Sequence, residues 1–319
     1  MTRDQTAAEM RRAATALLAA LDDGHRALAA LPFEDDAARR WLEYRPERRP
    51  GACLATADPA ARKAAHRLLA TGLGEHGYAQ AAVIMALEEV LDREENWAFG
   101  RHSGDYWVCV FGEPNGTGPW SWRFEGHHLS VTMTVRADDV SPAPVFLGAN
   151  PAAVCHAGRP VSRPLGPEED LGRALLQALT PAQRAVAVYA DRAPGDIHSA
   201  TRAQAQPMMT PLGIAAAELG DGQRALLTEL VALYAGRLAP ALADRELERI
   251  TGSELHFGWA GPAGRGERNY YRIQGEDLLI EYDNTTGNHA HTVLRRPHSD
   301  FGADILAAHY GAAQHGAGR

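Results

Sequence analysis

The sequence predicts an α+β protein in which two helix-rich segments alternate with two similar antiparallel β-hairpin regions. Apolar residues recur at helical spacing from Thr6 to about Asp92 and again from Pro167 to about Glu248. Between and after them, Trp97 to Arg136 and Leu255 to Leu294 are rich in aromatic and β-branched residues broken by Gly-rich loops. The two strand regions also lie over one another without gaps. Trp122-Arg123-Phe124-Glu125-Gly126 matches Tyr271-Arg272-Ile273-Gln274-Gly275 at one offset (272 − 123 = 275 − 126 = 149), which also superimposes Phe111-Gly112 on Ala260-Gly261. This suggests two related halves, residues 1–150 and 151–319, merged into one compact unit.

In order, Leu17, Leu18 and Leu21 mark a first amphipathic helix, and the Pro-rich stretch Pro46 to Gly51 separates it from helices carrying Leu68, Leu69 and Leu73 and then Ile84 to Leu91. Tyr106 to Phe111, the turn-rich Gly112 to Gly116 and a second run from Trp120 to Val135 read as a hairpin with a longer loop. Val145 to Gly148 adds a short strand. A helix over Pro167 to Ala190 opens on Glu168, Glu169 and Asp170, acids that suit a helix N-terminus. The polar loop Arg192 to Pro211 is long enough to suggest a functional role. A helix from Pro211 to about Glu248 precedes strands at Leu255–Trp259, Asn269–Asp283 and His289–Leu294. A short helix, Asp304 to Tyr310, and a disordered Gly/Ala-rich tail close the chain.

The composition, 45% apolar and 23% charged over 319 residues, is that of a globular protein. A net charge of −8 argues against general affinity for nucleic acid or anionic membrane. No apolar run approaches the roughly 20 residues that span a bilayer. Arg11-Arg12 precedes too short an apolar stretch for an export signal, so a cytoplasmic protein is expected. Cys53, Cys109 and Cys155 are odd in number and far apart, which suits a reducing compartment. Cys155 reads as a buried cysteine beside a loop histidine. The oligomeric state is not legible.

The residues that carry chemistry are histidines on strands. Residues two apart on a strand share a face. Centring the second turn on Thr286 pairs Asp283 with His289 and Glu281 with His291, so two imidazoles and two carboxylates converge, a set that suits a divalent metal. A solvated face of complementary charges would look the same. In the first region His127 shares a face with Glu125, and His128 with Phe124 and Trp122, so one of the two adjacent histidines is expected as a ligand. A core histidine bonded to backbone is the alternative. Arg101, Arg123 and Arg272 are candidates to hold a substrate anion, and Trp120 and Trp122 to line its pocket, with structural ion pairing and core packing as the alternatives. Glu88-Glu89 and Glu94-Glu95 read as solvated helix charges, His256 as aromatic core and His298 as exposed. Walker, dinucleotide-binding, nucleophile-elbow, His-Glu-x-x-His and Cys-x-x-Cys patterns are all missing.

Several stretches resemble a known family. They are Gly118-Pro119-Trp120-Ser121-Trp122-Arg123-Phe124-Glu125-Gly126-His127-His128-Leu129-Ser130, Phe146-Leu147-Gly148-Ala149-Asn150-Pro151, Tyr270-Tyr271-Arg272-Ile273-Gln274-Gly275, Ile280-Glu281-Tyr282-Asp283-Asn284-Thr285 and His289-Ala290-His291-Thr292-Val293. The family is the bacterial and fungal one catalogued as domain of unknown function 3500, and the resemblance runs from Trp41 to Tyr310. It implies a shared fold and site, and brings no reaction with it. Arg296-Pro297-His298-Ser299-Asp300 departs from the family's usual acidic, Asn-containing segment, so His298 inherits no role.

The expectation is a metal-dependent enzyme with a mononuclear site. His289, His291 and one of His127 or His128 would bind Fe, Cu, Zn or Mn, with Glu281, Asp283 or Glu125 as carboxylate ligand or base. An oxygenase or oxidase acting on a small anionic molecule comes first. A zinc hydrolase, a non-catalytic metal or ligand carrier, and a metal-free enzyme using His127 or His128 as base are the alternatives.

Overall fold

The computed structural model describes residues 3–205, 210–284, 286–303 and 305. The expected terminal helix and tail beyond residue 305, Thr285 in the second turn, and Pro207 lie outside these residues. The first half contains α1 (Arg3–Ala20), α2 (Asp23–Ala29), β1 (Ala30–Leu31), α3 (Asp36–Arg39), β2 (Ala52–Cys53), α4 (Pro59–Gly72), α5 (Glu75–Glu94), β3 (Tyr106–Phe111), β4 (Trp120–Gly126), β5 (Leu129–Arg136), β6 (Asp139–Ser141) and β7 (Val145–Ala149). A two-stranded ribbon, β8 (Val154–His156) and β9 (Arg159–Ser162), leads to the second half. That half contains α6 (Gly166–Ala178), α7 (Pro181–Ala187), β10 (Val188–Ala190), β11 (Ile214–Ala215), α8 (Asp221–Ala235), α9 (Pro240–Ile250), β12 (His256–Ala260), β13 (Tyr270–Gly275), β14 (Leu278–Asn284) and β15 (Ala290–Arg295). No helix among the described residues is long and apolar enough to cross a membrane.

One mixed sheet runs through both halves in the order β1-β3-β4-β5-β7-β15-β14-β13-β12-β10. The order reads alike from each end. β1 runs parallel to β3 as β10 does to β12, and β2 and β11 add antiparallel to the same two strands. The halves meet where β7 pairs antiparallel with β15, from Ala149 opposite Ala290 to Val145 opposite Leu294. The sequence offset of 149 holds in the pairing, since Gly126 faces Leu129 and Gly275 faces Leu278 across two-residue turns.

Local chemistry sets where the elements start and stop. Asp22 caps α2 by accepting the His25 N–H at 2.8 Å. Thr180 and Gln183 form a capping box on α7, and Pro181 fits its first turn. That box splits the single helix expected over Pro167–Ala190 into α6 and α7, with Val188–Ala190 in the sheet instead. Gly236 and Pro240 likewise divide the expected Pro211–Glu248 helix into α8 and α9.

Alternation along the strands gives the sheet two different faces. On one face, Trp122 of β4 lies against Gly72 of α4, where an added Cβ would meet its ring at 2.9 Å. At the matching place Tyr271 of β13 lies against Gly172 of α6, at 2.5 Å from such a Cβ. Glycine is required at both, because the helix and the aromatic ring touch directly. The opposite face is covered by loops and the short helix α3. There Arg123 donates to the Ala38 carbonyl and Arg272 to that of Thr210. A small second core, Leu42, Tyr44, Phe146, Ile197, Val293 and Phe301, fills the space between loops and sheet.

Two strand expectations are corrected. The run from Trp120 to Val135 is not one strand, because His127 and His128 are the turn between β4 and β5. The alternation argument that gave them opposite faces therefore lapses. In the second hairpin Asp283 pairs with His291 and Glu281 with Val293, two residues away from the predicted register. β14 runs on to Asn284, and β15 must also match β7, placing His291 opposite Gly148. A slip of two keeps each side chain on its face, whereas a slip of one would have reversed them. Cys155 and His156 are exposed on the ribbon, so the expected burial of Cys155 does not hold.

Candidate metal centre

Four histidines from both halves meet on the loop face, at the ends of β7 and β15. His128 sits in the left-handed region with φ of 60°. Two backbone bonds pin it there: its N–H donates to the Tyr44 carbonyl at 2.9 Å, and its carbonyl accepts the Gly148 N–H at 2.7 Å. Its Nε2 lies 2.8 Å from Nε2 of His289, which directly precedes β15. His291, the second residue of β15, completes the group, its ring centroid 5.4 Å from that of His128 and 4.6 Å from that of His289. Gly148 makes this approach possible. A Cβ there would lie 2.9 Å from Cδ2 of His128 and 3.1 Å from Cδ2 of His291.

Among the described residues three sets of side chains place one donor atom each within 4.8 Å of one another. They are His128 with His289 and His291, Glu88 with His127 and His128, and Asp196 with Asp283 and His291. These clusters could hold a metal ion. Metal–nitrogen bonds of about 2.0–2.1 Å put tetrahedral ligand atoms roughly 3.3 Å apart. That separation falls between the 2.8 Å of the His128–His289 contact and the 4.8 Å limit.

The electrostatics suit ligation at two of the three imidazoles. Burial, and then the neighbouring imidazoles, hold His128 well below the usual histidine range. Burial and then His291 pull His289 down to about 3. Both are neutral at pH 7, as a ligand must be. Burial also works against charge on His291, but Asp283 and Asp196 outweigh it and push the pKa up to about 9. Its Nδ1 is 2.9 Å from Asp196 and 3.5 Å from Asp283, a carboxylate arrangement that fixes a histidine ring and leaves Nε2 for other work. Tyr44 locks this support: its hydroxyl donates to Asp196 at 2.7 Å while its ring stacks on Phe146 at 4.0 Å.

The remaining sequence candidates fall in and around this cluster. His127 stacks on His128, ring centroids 3.8 Å apart, and its Nδ1 lies 2.7 Å from Glu88. Glu88 is therefore no solvated charge. It is 4% exposed, on the face of α5 that also buries Ile84 and Leu91. A carboxylate within an apolar stripe at i, i+4 and i+7 is the signal that could have found it. Glu281 accepts the backbone N–H groups of His198 and Ser199 and the Tyr270 hydroxyl. Glu125 accepts the Glu43 N–H and the Ser130 hydroxyl. Neither belongs to a donor set. Trp122 is fully buried under the helices. Arg123 and Arg272 are buried on the loop face, bonded to the backbone carbonyls given above. Nothing local in the sequence singles out Asp196 or Tyr44, because loops carry them to the site from far along the chain.

A two-faced α+β sheet with a buried histidine and carboxylate cluster able to hold a metal ion is thus the class that fold and site define. The chain belongs to the family described as Protein of unknown function (DUF3500), whose model matches residues 3–303. No curated protein and no solved structure matches it.

Proposed function

We propose that this protein is a metal-dependent enzyme whose mononuclear centre is held by His128, His289 and His291, with His291 oriented by Asp196 and Asp283. The observation that carries this is the convergence of three imidazole nitrogens within 4.8 Å of one another, drawn from both halves of the chain. An all-imidazole set with no thiolate among its members suits Fe, Cu, Zn or Mn. Three protein ligands leave coordination positions open, the arrangement of a catalytic rather than a purely structural ion. An oxygenase or oxidase of a small organic anion is the first reading, because iron, copper or manganese held there would supply one-electron and dioxygen chemistry. Of Glu281, Asp283 and Glu125, only Asp283 shares a donor set with His291, and the base role goes to it. Hydrolysis at zinc is the second reading, in which the ion would lower the pKa of bound water and Asp283 would take the proton.

Elemental analysis of the purified protein and of a His289→Ala/His291→Ala variant tests the centre. Near-stoichiometric iron or copper, lost in the variant and accompanied by oxygen uptake with substrate, is the expected result. Zinc would move the assignment to the hydrolase. An ion with no position open to water or azide would make the protein a carrier. A wild type that neither holds nor takes up metal would overturn the centre.

A further inference from the structure

The centre above leaves one donor pair unused beside it. Glu88 and His127 face each other at 2.7 Å, and with one nitrogen of His128 their donor atoms lie within 4.8 Å. Among the described residues His127 shares no donor set with His289 or His291. Its ring stacks on that of His128, tilted by 33°. The two stacked rings present their edges side by side, so a nitrogen of each can reach one ion beside Glu88. Glu88 and His127 also line a cavity of about 480 Å³, together with Arg101, Trp107 and Phe99. Neither Asp196 nor Asp283 lines it.

We propose that Glu88, His127 and His128 hold a second divalent transition-metal ion, opening on this cavity, so that the centre is dinuclear with His128 shared. One imidazole can serve two ions only as imidazolate, so binding the second ion would release the remaining ring proton of His128 to solvent and leave a nitrogen for each ion. Two nitrogens and a carboxylate oxygen form a borderline donor set that accepts zinc, iron, manganese or copper. The cavity leaves the remaining positions to water or a small molecule. The third set, Asp196 with Asp283 and His291, is not assigned an ion, because Asp196 is already bonded to both His291 and Tyr44. The proposal rests on the His128, His289 and His291 centre and adds to it.

The test is a count of ions. Metal-stripped protein is titrated with zinc and separately with cobalt, and bound ions are read by native mass spectrometry and elemental analysis. Wild type is expected to take two ions, and both Glu88→Gln/His127→Gln and His289→Gln/His291→Gln to take one. Glu88→Gln alone, close to isosteric, should weaken the second ion at least tenfold and leave the first unchanged, with unfolding midpoints confirming that the variants fold. Saturation at one ion that Glu88→Gln/His127→Gln does not alter, but His289→Gln/His291→Gln removes, would overturn the second site while leaving the first standing. Saturation at zero would overturn both.

Discussion

The two tips of the sheet, His127-His128 between β4 and β5 and Glu276-Asp277 between β13 and β14, close equivalent strands with turns of the same length. Their surroundings differ. His128 is buried under the Tyr44 loop and faces His289. Glu276 is exposed, and Asp277 is bonded to Arg249, the Ser299 hydroxyl and the His298 N–H. Below the tips the likeness returns: Trp122 and Tyr271 pack on helix glycines, and Arg123 and Arg272 reach backbone carbonyls, of Ala38 in α3 and of Thr210 in a loop. The difference teaches that the strands supply a frame used twice, while the tip residues and the loop laid over them decide whether a histidine cluster able to hold a metal forms.

The strongest way to break this comparison is to strip the first tip of its shared imidazole. His128→Asn keeps a residue that tolerates positive φ and should lower metal affinity on the order of 100-fold or more. The reciprocal Asp277→His should gain no metal, because Arg249, Arg296 and Ser299 surround that position. Calorimetric titration of both variants with zinc checks this; undiminished binding in the first would mean the tip is not the source of the site.

The matched glycines give the next largest effect. A Cβ at Gly126 would strike the Tyr106 ring at 2.2 Å, whereas one at Gly275 meets only the flexible end of Leu255 at 2.9 Å. Gly126→Ala should cost about 3 kcal/mol and Gly275→Ala under about 1 kcal/mol in denaturant unfolding. Equal losses would contradict this difference in tolerance between the two frames.

Gly148→Ala sharpens the comparison inside the site. Its methyl enters between His128 and His291, so metal affinity should fall about 10- to 100-fold while far-UV circular dichroism stays unchanged. Wild-type affinity would mean that close approach of these rings is not needed.

The smallest effect concerns Glu125, whose counterpart in the second half is Gln274. Burial raises the Glu125 pKa against the pull of Arg123 and Arg49. The folded state then holds a proton that the unfolded chain has already released, so stability falls as pH rises from about 4.5 through the raised folded value. Glu125→Gln should flatten that part of the stability curve, each tenfold difference in proton affinity between the folded and unfolded chain being worth about 1.4 kcal/mol. An unchanged slope in urea midpoints between pH 4 and 7 would contradict the raised pKa.

Much of the frame is legible in the sequence because periodicity is local. Tyr106–Phe111 and Val145–Gly148 read directly as strands, and the offset of 149 points to equivalent hairpins. The four histidines are legible as residue types in strand-rich segments, although the alternation argument placed His127 and His128 within a strand and the structure puts them in a turn. Their supports are not. Asp196 arrives on the Arg192–Pro211 loop, whose length signals function without saying which residue delivers it. Glu88 reads as a solvated charge when its helix position is weighed by charge and not by the apolar stripe it interrupts. The register of the second hairpin lies two residues from its expected place because it depends on β7, a partner more than 130 residues away in sequence, as much as on the turn itself.

The pairing of β7 with β15 has a consequence for timing. His128 comes from one half of the chain and His289 and His291 from the other, so the three-imidazole set does not exist until the ribosome has passed residue 291. At about 5–20 residues per second, the first histidine waits roughly 10–30 s for the last. Completion of the candidate ligand set is thereby tied to completed synthesis: a chain cut before residue 289 carries only one of the three imidazoles, and only the finished one brings all three together.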